Sequence, residues 1–320
     1  MRKTNINNWE IAVLGAGTMG LCVAQFFAMN GHSVRLYNRT PANLEKALVQ
    51  IRHNLQTLFS MQQITEDTIS ATVSRIHGSS DLAEAVTNAD FIIENVAEKE
   101  DLKKDIFSRI DTLCDKDIIF ASDTSTMNIY EFVKVSHPER LIITHFFNPA
   151  YVMPLVEVVR GPETSGETVA AVKNLLKSCG KKTAVLNKAI PGFILNRITM
   201  AVFREASYIA GNGWATPEDI DKAIVSTFGP RYTFEGPFAL SDFAGLDIYE
   251  RLATLLPPVL CRDTSCPAIL TDKTSRGQLG VKSGSGFYSY EDSADAHHRR
   301  DRKIMRMIQA IQEVNSLEED

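Results

Sequence analysis

A doubly wound α/β sheet, mostly parallel, followed by an all-helical C-terminal domain is predicted by three features of the 320-residue sequence. First, short apolar runs recur between helical stretches, at 11–14, 34–37, 91–93, 118–121, 141–144 and 155–159. Most are apolar throughout rather than alternating, the pattern of strands buried on both faces. Second, the first run passes straight into Gly15-Ala16-Gly17-Thr18-Met19-Gly20, a G-x-G-x-x-G. Third, Ala184-Val185-Leu186 ends the strand pattern, and from Pro191 only helical periodicity follows until a short Gly286-Phe287-Tyr288 segment. The expected domains are 1–188 for the sheet, 189–290 for the helical part and 291–320 for a charged helical tail.

Composition narrows the class. Hydrophobic residues make up 44% and charged residues 23%, enough apolar material for two cores. The formal net charge of −5 argues against general nucleic-acid binding. Cys22, Cys114, Cys179, Cys261 and Cys266 form no C-x-x-C pair and read as free thiols of a reducing compartment. No metal site is assigned. The first nine residues lack the apolar core of a signal peptide, and no run approaches a membrane span of roughly 18 apolar residues. A cytoplasmic location with no membrane partner is the expectation.

The glycine motif sits in the context that gives it meaning. Ile11–Leu14 reads as a strand, 21–30 as a helix ending at Gly31, and Val34–Tyr37 as a second strand, all within about 30 residues. In such a Rossmann-type unit Gly15 makes the tight turn, Gly17 lets a pyrophosphate approach the backbone, and Gly20 lets helix pack on strand. Thr18 and Met19 open the helix whose N-terminus faces the phosphates. The end of the second strand selects the cofactor. An acid there would bind the ribose 2′-hydroxyl of NAD, but this chain has Asn38-Arg39-Thr40. A guanidinium suits a 2′-phosphate, which favours NADP(H) over NAD(H). The alternative is that Arg39 stacks on adenine while Asn38 bonds the ribose.

Further along, Thr40-Pro41 reads as an N-cap and first helical residue, with Leu44, Leu48, Ile51, Leu55 and Leu58 on one helical face. Glu98 to Leu113 is helical through Leu102, Ile106 and Ile110. Later helices are expected over 192–211, 217–228, 236–246 and 248–256. Strand ends of a parallel sheet converge on the ligand-binding rim. Glu94, the Ser122-Asp123-Thr124-Ser125 segment and His145 all stand at such ends. His145 closes one apolar run, and Glu157 is the lone acid of the next. A buried acid needs a partner, and a histidine oriented by a carboxylate is suited to general acid/base work.

These residues carry a resemblance. Over roughly 8–290 the chain resembles the 3-hydroxyacyl-CoA dehydrogenase family, in the glycine motif, in Glu94 to Glu98 with Lys103, in Thr124-Ser125-Thr126, in His145-Phe146-Phe147-Asn148-Pro149 through Glu157, and in Pro191-Gly192-Phe193-Ile194-Leu195-Asn196-Arg197. Gly236-Pro237-Phe238, Asp242 to Asp247 and Gly284 to Tyr288 continue the match. The resemblance implies a dinucleotide-binding domain followed by a helical domain that pairs two copies as a homodimer. It also implies that His145 is the catalytic base, Glu157 the acid that orients it, Ser125 and Asn196 substrate-side hydrogen-bonding residues, and Asn148 a neighbour on the same loop. Glu94 and Lys103 fall on positions near the nicotinamide ribose.

The chain departs from the pattern at three places. Asn38-Arg39 replaces an acid, Asp123 stands where members often have Asn, and Gly229-Pro230-Arg231-Tyr232 precedes Gly236. An Arg-aromatic pair there is similar to relatives of the L-gulonate dehydrogenase/lambda-crystallin and carnitine dehydrogenase types, in which case Arg231 would bind a substrate carboxylate. The leading expectation is NAD(P)-dependent, reversible oxidation of a 3-hydroxyacyl thioester to the 3-oxo form. The alternative is oxidation of a small free hydroxy acid anchored by Arg231. A 6-phosphogluconate-type dehydrogenase would carry a Lys on the helix beginning at Gly192, and there is none. A cofactor-binding sensor would have no need of His145, Glu157, Ser125 and Asn196 together.

Overall fold

The computed structural model describes residues 6–316, which form two compact units dividing between Arg197 and Ile198. The first unit alternates strand and helix: β1 (Ile11–Leu14), α1 (Thr18–Met29), β2 (Val34–Tyr37), α2 (Pro41–Ser60), α3 (Glu66–Ser74), β3 (Ile76–Ser79), α4 (Leu82–Val86), β4 (Phe91–Glu94), α5 (Glu100–Leu113), β5 (Ile119–Ser122), β6 (Leu141–Phe146), β7 (Leu155–Val159), α6 (Gly166–Ser178) and β8 (Lys182–Leu186).

The strands make one sheet in the order β3-β2-β1-β4-β5-β6-β7-β8. All pairings are parallel except β6 with β7. Alternate residues feed opposite cores. Ile11, Val13, Phe91 and Ile93 pack on the α1, α2 and α6 side, and Ala12, Leu14 and Ile92 on the α4 and α5 side. Full burial on both faces is why these runs carry no polar residue until their C-terminal ends. The order reverses between β1 and β4, and there the glycine turn opens a crevice at the strand ends.

The second unit is helical: α7 (Leu195–Gly211, which starts before the division), α8 (Pro217–Arg231), α9 (Pro237–Ala244), α10 (Leu246–Leu255), α11 (Ala268–Ser275) and α12 (Ser293–Ser316). The expected strand at 286–288 is instead part of a turn held by isolated bridges, Gly280 with Ser285 and Ser285 with Ser289. The helix expected from Gly192 begins only at Leu195, because Gly192 (φ 77°) and Phe193 (φ 49°) both lie in the left-handed region. Among the described residues no helix is long and apolar enough to cross a membrane.

Candidate active site

The crevice is a cavity of about 710 Å³ at the C-terminal ends of β1, β2, β4, β5 and β6. Its walls include Gly15, Gly17, Thr18, Met19, Asn38, Arg39, Asn95, Glu98, Asp123, Ser125, His145 and Asn148. Two glycines make the turn between β1 and α1 possible. Gly15 has φ 118°, and a Cβ there would stand 2.5 Å from the Asn95 carbonyl oxygen. A Cβ on Gly20 would meet the Gly15 carbonyl oxygen at 1.7 Å. Gly17 caps α1 differently: nothing lies within 4 Å of where its Cβ would be. The helix start offers unbonded N–H groups to open space, an anion cradle. The chemistry of this cradle suits a pyrophosphate, and the cavity runs from Asn38-Arg39 at one end to Ser125 and His145 at the other. Asn38 Oδ1 accepts from the Thr40 N–H at 3.0 Å, so it is Asn38, and not the Thr40 side chain, that ties down the entry to α2. The Arg39 side chain is exposed.

His145 and Glu157 are register partners across the antiparallel β6–β7 pair. His145 Nδ1 donates to Glu157 Oε2 at 2.7 Å, and the carboxylate is fully buried. Glu157 Oε1 accepts from the amides of Ile194 and Leu195, both at 2.9 Å, at the start of α7. Burial works to raise the Glu157 carboxyl. The bonds from His145 and from the Leu195 and Ile194 amides outweigh it and hold the group below the ordinary carboxylate range. With Nδ1 committed as donor, Nε2 of the neutral ring keeps its lone pair. Phe147 and Phe193 flank the imidazole with centroids 4.6 and 5.6 Å away. Phe193 is therefore a buried residue held at positive φ beside the histidine, a strained position of the kind that clusters at functional sites.

Ser125 is held from two sides. Its N–H and Oγ donate to Glu98 Oε1 at 2.7 and 3.1 Å, and its carbonyl accepts from Asn196 Nδ2 at 2.9 Å. Asn196 is the second residue of α7, so the same helix start that satisfies Glu157 also delivers Asn196. Desolvation acts to raise Glu98, but Lys103 and the Ser125 and Thr124 donors outweigh it and lower the group.

Glu94 and Lys103 lie beneath the cavity rather than on its wall. Glu94 is fully buried and bonds Lys103 Nζ through both oxygens at 2.8 Å, Ser122 Oγ at 2.6 Å and the Val96 amide at 2.7 Å. Lys103 extends the pair to Glu98 at 3.1 Å. Asp123 accepts from the Phe146 amide at 2.7 Å and meets Asn95 Nδ2 at 2.5 Å. Burial, reinforced by Glu94, pushes the Asp123 carboxyl well above the ordinary range, against the opposing bond from Phe146. Asn148 lies on the cavity wall. Arg231 is the exposed last residue of α8, in the second unit.

Sequence reasoning missed Asn95, Phe193 and the role of Glu98. Glu98 carried one usable signal, an acid at the end of the segment after β4. Phe193 carried none, since its role depends on a backbone conformation that its residue type disfavours.

A glycine cradle for a dinucleotide and a carboxylate-held histidine on one crevice define a nicotinamide-dependent oxidoreductase. Comparison with known proteins agrees. The family model for the 3-hydroxyacyl-CoA dehydrogenase NAD binding domain matches residues 10–189, and that for the C-terminal domain of the same family matches 192–290. The chain belongs to the 3-hydroxyacyl-CoA dehydrogenase family. It is 35% identical over 312 residues to 5-formyl-3-hydroxy-2-methylpyridine 4-carboxylate 5-dehydrogenase of Mesorhizobium japonicum, covering 95% of this chain and 98% of that one. It is 39% identical over 286 residues to a probable 3-hydroxybutyryl-CoA dehydrogenase of Bacillus subtilis, covering 88% and 98%. Among solved structures, a 5-dehydrogenase of the same pyridine carboxylic acid, described as an NAD+ dependent dismutase, superposes with TM-score 0.87 at 33% identity over 95% of this chain and 99% of that one. The (S)-3-hydroxybutyryl-CoA dehydrogenase of Ralstonia eutropha gives 0.73 at 33% identity over 89% and 100%.

Proposed function

We propose that the protein reversibly oxidises the C3 carbinol of a 3-hydroxyacyl thioester to the 3-oxo compound, with His145 as general base. The His145–Glu157 pair at the cavity wall carries this reading. The Gly15–Gly20 turn and the start of α1 would hold a nicotinamide dinucleotide, which would supply the hydride acceptor or donor when bound. Nε2 of His145 takes the hydroxyl proton on oxidation and returns it on reduction. Glu157 keeps the proton of the neutral ring on Nδ1 and stabilises the imidazolium once it forms. Its own geometry is fixed by the Ile194 and Leu195 amides. The second N–H of Asn196 Nδ2 supplies one donor for the developing oxyanion or the acyl carbonyl, and the Ser125 hydroxyl supplies another on turning from Glu98 Oε1 to the substrate. Glu98 and the buried Glu94–Lys103 pair hold the Ser125 segment in place.

A second reading, a small free acid as substrate, is favoured by one observation. The superposition on the pyridine-carboxylate enzyme is higher and runs over more of the chain than that on the hydroxybutyryl-CoA enzyme. In that reading Arg231 anchors the carboxylate. Assaying acetoacetyl-CoA and free 3-oxo or aromatic hydroxy acids, each with NADH or NADPH in the direction the substrate requires, decides the matter. The first reading requires turnover of the thioester, and turnover of free acids alone would replace it by the second.

For the cofactor, the exposed Arg39 at the cavity end supports NADP(H). A charge-assisted bond to a 2′-phosphate is worth about 1.5–3 kcal/mol, so Arg39→Ala would lower the NADPH preference by about tenfold or more. A wild type that prefers NADH overturns this. Location in the cytoplasm and a homodimer complete the proposal. The exposed apolar side chains of Phe238 (86%), Phe243 (84%) and Leu246 (62%) in the second unit support pairing with a second copy.

A further inference from the structure

One buried cation takes no part in the chemistry above. Lys181 is 8% exposed, and among the described residues no carboxylate pairs with it. Its position follows from how α6 ends. Gly180 takes φ 76°, its amide bonds the Lys177 carbonyl at 2.9 Å, and the Lys181 amide bonds Leu176 at 2.9 Å. This is the Schellman pattern, and it turns the chain back toward β8. The Lys181 side chain then runs under the loop 147–154, which joins the strand of His145 to the strand of Glu157. Its Nζ donates to the Ala150 carbonyl at 2.5 Å and to the Met153 carbonyl, and lies 4.4 Å from the centroid of the Phe26 ring. Phe26 in turn packs on Phe146, next to His145, with centroids 5.7 Å apart. The following amide, Lys182 N–H, bonds the Pro154 carbonyl at 2.8 Å.

We propose that Lys181 is a positioning residue for the reaction: its ammonium clamps the 147–154 loop from below and so holds Phe147 and Asn148 in the cavity wall beside His145. The kinetic part of this rests on the reading of His145 as the base, and the clamp itself does not. A buried ammonium with two carbonyl dipoles and an aromatic face is attracted to all three by its charge. Burial pushes Lys181 down to about 8. The titratable group acting on it is Cys179, which burial pushes up to about 11 and which is therefore a neutral thiol at neutral pH; behind Cys179, His32 Nε2 is 3.4 Å from its Sγ. Burial also lowers His32. Neither supplies an anion near neutral pH, so the loop carbonyls and the ring are what hold the charge.

The clamp and the fold respond to pH with opposite signs. A folded-state value below the free lysine range means the charged form costs the fold, and that cost is relieved as pH rises through about 8. Global stability contributed by this group therefore rises while the clamp weakens. Activity falls over a window in which Lys181 does not reduce thermal stability.

The experiment joins hydrogen exchange with pH–rate profiles on wild type, Lys181→Met and Lys181→Arg. In Lys181→Met, exchange in 147–154 accelerates while that of strands 11–14 and 91–93 is unchanged, and kcat/KM falls by about tenfold or more. The alkaline limb of wild type, with its midpoint near 8, is absent from both variants, and Lys181→Arg keeps the loop protected. Unchanged loop exchange in Lys181→Met, or the same alkaline limb in that variant, overturns the proposal. If Lys181→Met does not fold, exchange of the wild-type loop at pH 7 against pH 9, corrected for intrinsic rates, decides instead: no added opening at pH 9 overturns it. If wild type turns over neither substrate class, the reaction reading fails and the exchange data alone judge the clamp.

Discussion

His145 and Glu157 stand directly opposite each other in the β6–β7 register, Nδ1 to Oε2 at 2.7 Å, in the one antiparallel pairing of the described sheet. Directly opposite residues on antiparallel strands share a face, so the pairing itself brings imidazole and carboxylate together. The loop between them then lies next to the cavity. A parallel pair would need a crossover of a dozen or more residues and would not place them so.

General-base catalysis is typically worth about 10²–10⁴-fold. His145→Gln is expected to lose at least that in kcat while its melting temperature and circular dichroism stay near wild type. An unchanged kcat would remove His145 from the mechanism.

Gly17→Ala tests the cradle. The space around that Cβ is open in the protein and the backbone there is ordinary (φ −76°), so the fold should be unaffected. The added methyl would occupy the path of the pyrophosphate. Overpacking costs about 1–3 kcal/mol, so the dinucleotide Kd, read by fluorescence titration, should rise by about tenfold or more. Equal affinity in variant and wild type would place the phosphates elsewhere.

Lys103→Met removes one partner of a fully buried ion pair and leaves Glu94 with a charge that water cannot reach. Such a break costs about 3–5 kcal/mol. A large drop in denaturant midpoint is therefore expected even with no nucleotide present. A variant as stable as wild type but weak in nucleotide binding would instead give Lys103 a direct role at the ribose.

Asp123→Asn addresses the departure at that position. An acid raised by burial contributes stability that is full below the unfolded value of about 3.9 and is lost as pH rises through the folded value. The amide avoids that loss and can bond Asn95 Oδ1, which has no partner in the structure. Thermal melts across pH should show the variant gaining on wild type as pH rises from about 4. Parallel curves would mean that burial does not raise the Asp123 carboxyl.

Much of the fold was legible because burial on both faces leaves a plain mark. Strands such as Ile11–Leu14 and Phe91–Ile93 read as apolar runs, and the glycine turn followed at the expected place. The start of α7 was misread because helical periodicity says nothing about φ, and Gly192-Phe193 is turned by its surroundings. The network through Glu94, Lys103, Ser122, Glu98 and Ser125 was visible only as separate polar residues. It links β4, α5 and β5, whose separations in sequence hide their contact.

The sequence by itself determined the class of fold, the nucleotide cradle and the identity of His145 and Glu157 as a candidate pair. These depend on local chemistry: glycine where a side chain cannot fit, and a lone acid in a strand that water does not reach. Only the tertiary structure decided which atoms serve which purpose. It bonds Glu157 to His145 on one oxygen and to the start of α7 on the other, sinks Glu94 and Lys103 beneath the cavity, and sets Lys181 under the loop between the strands of His145 and Glu157. The reason is physical. A buried polar group must find partners, and which partners it finds depends on chain segments far away in sequence that packing brings within about 3 Å.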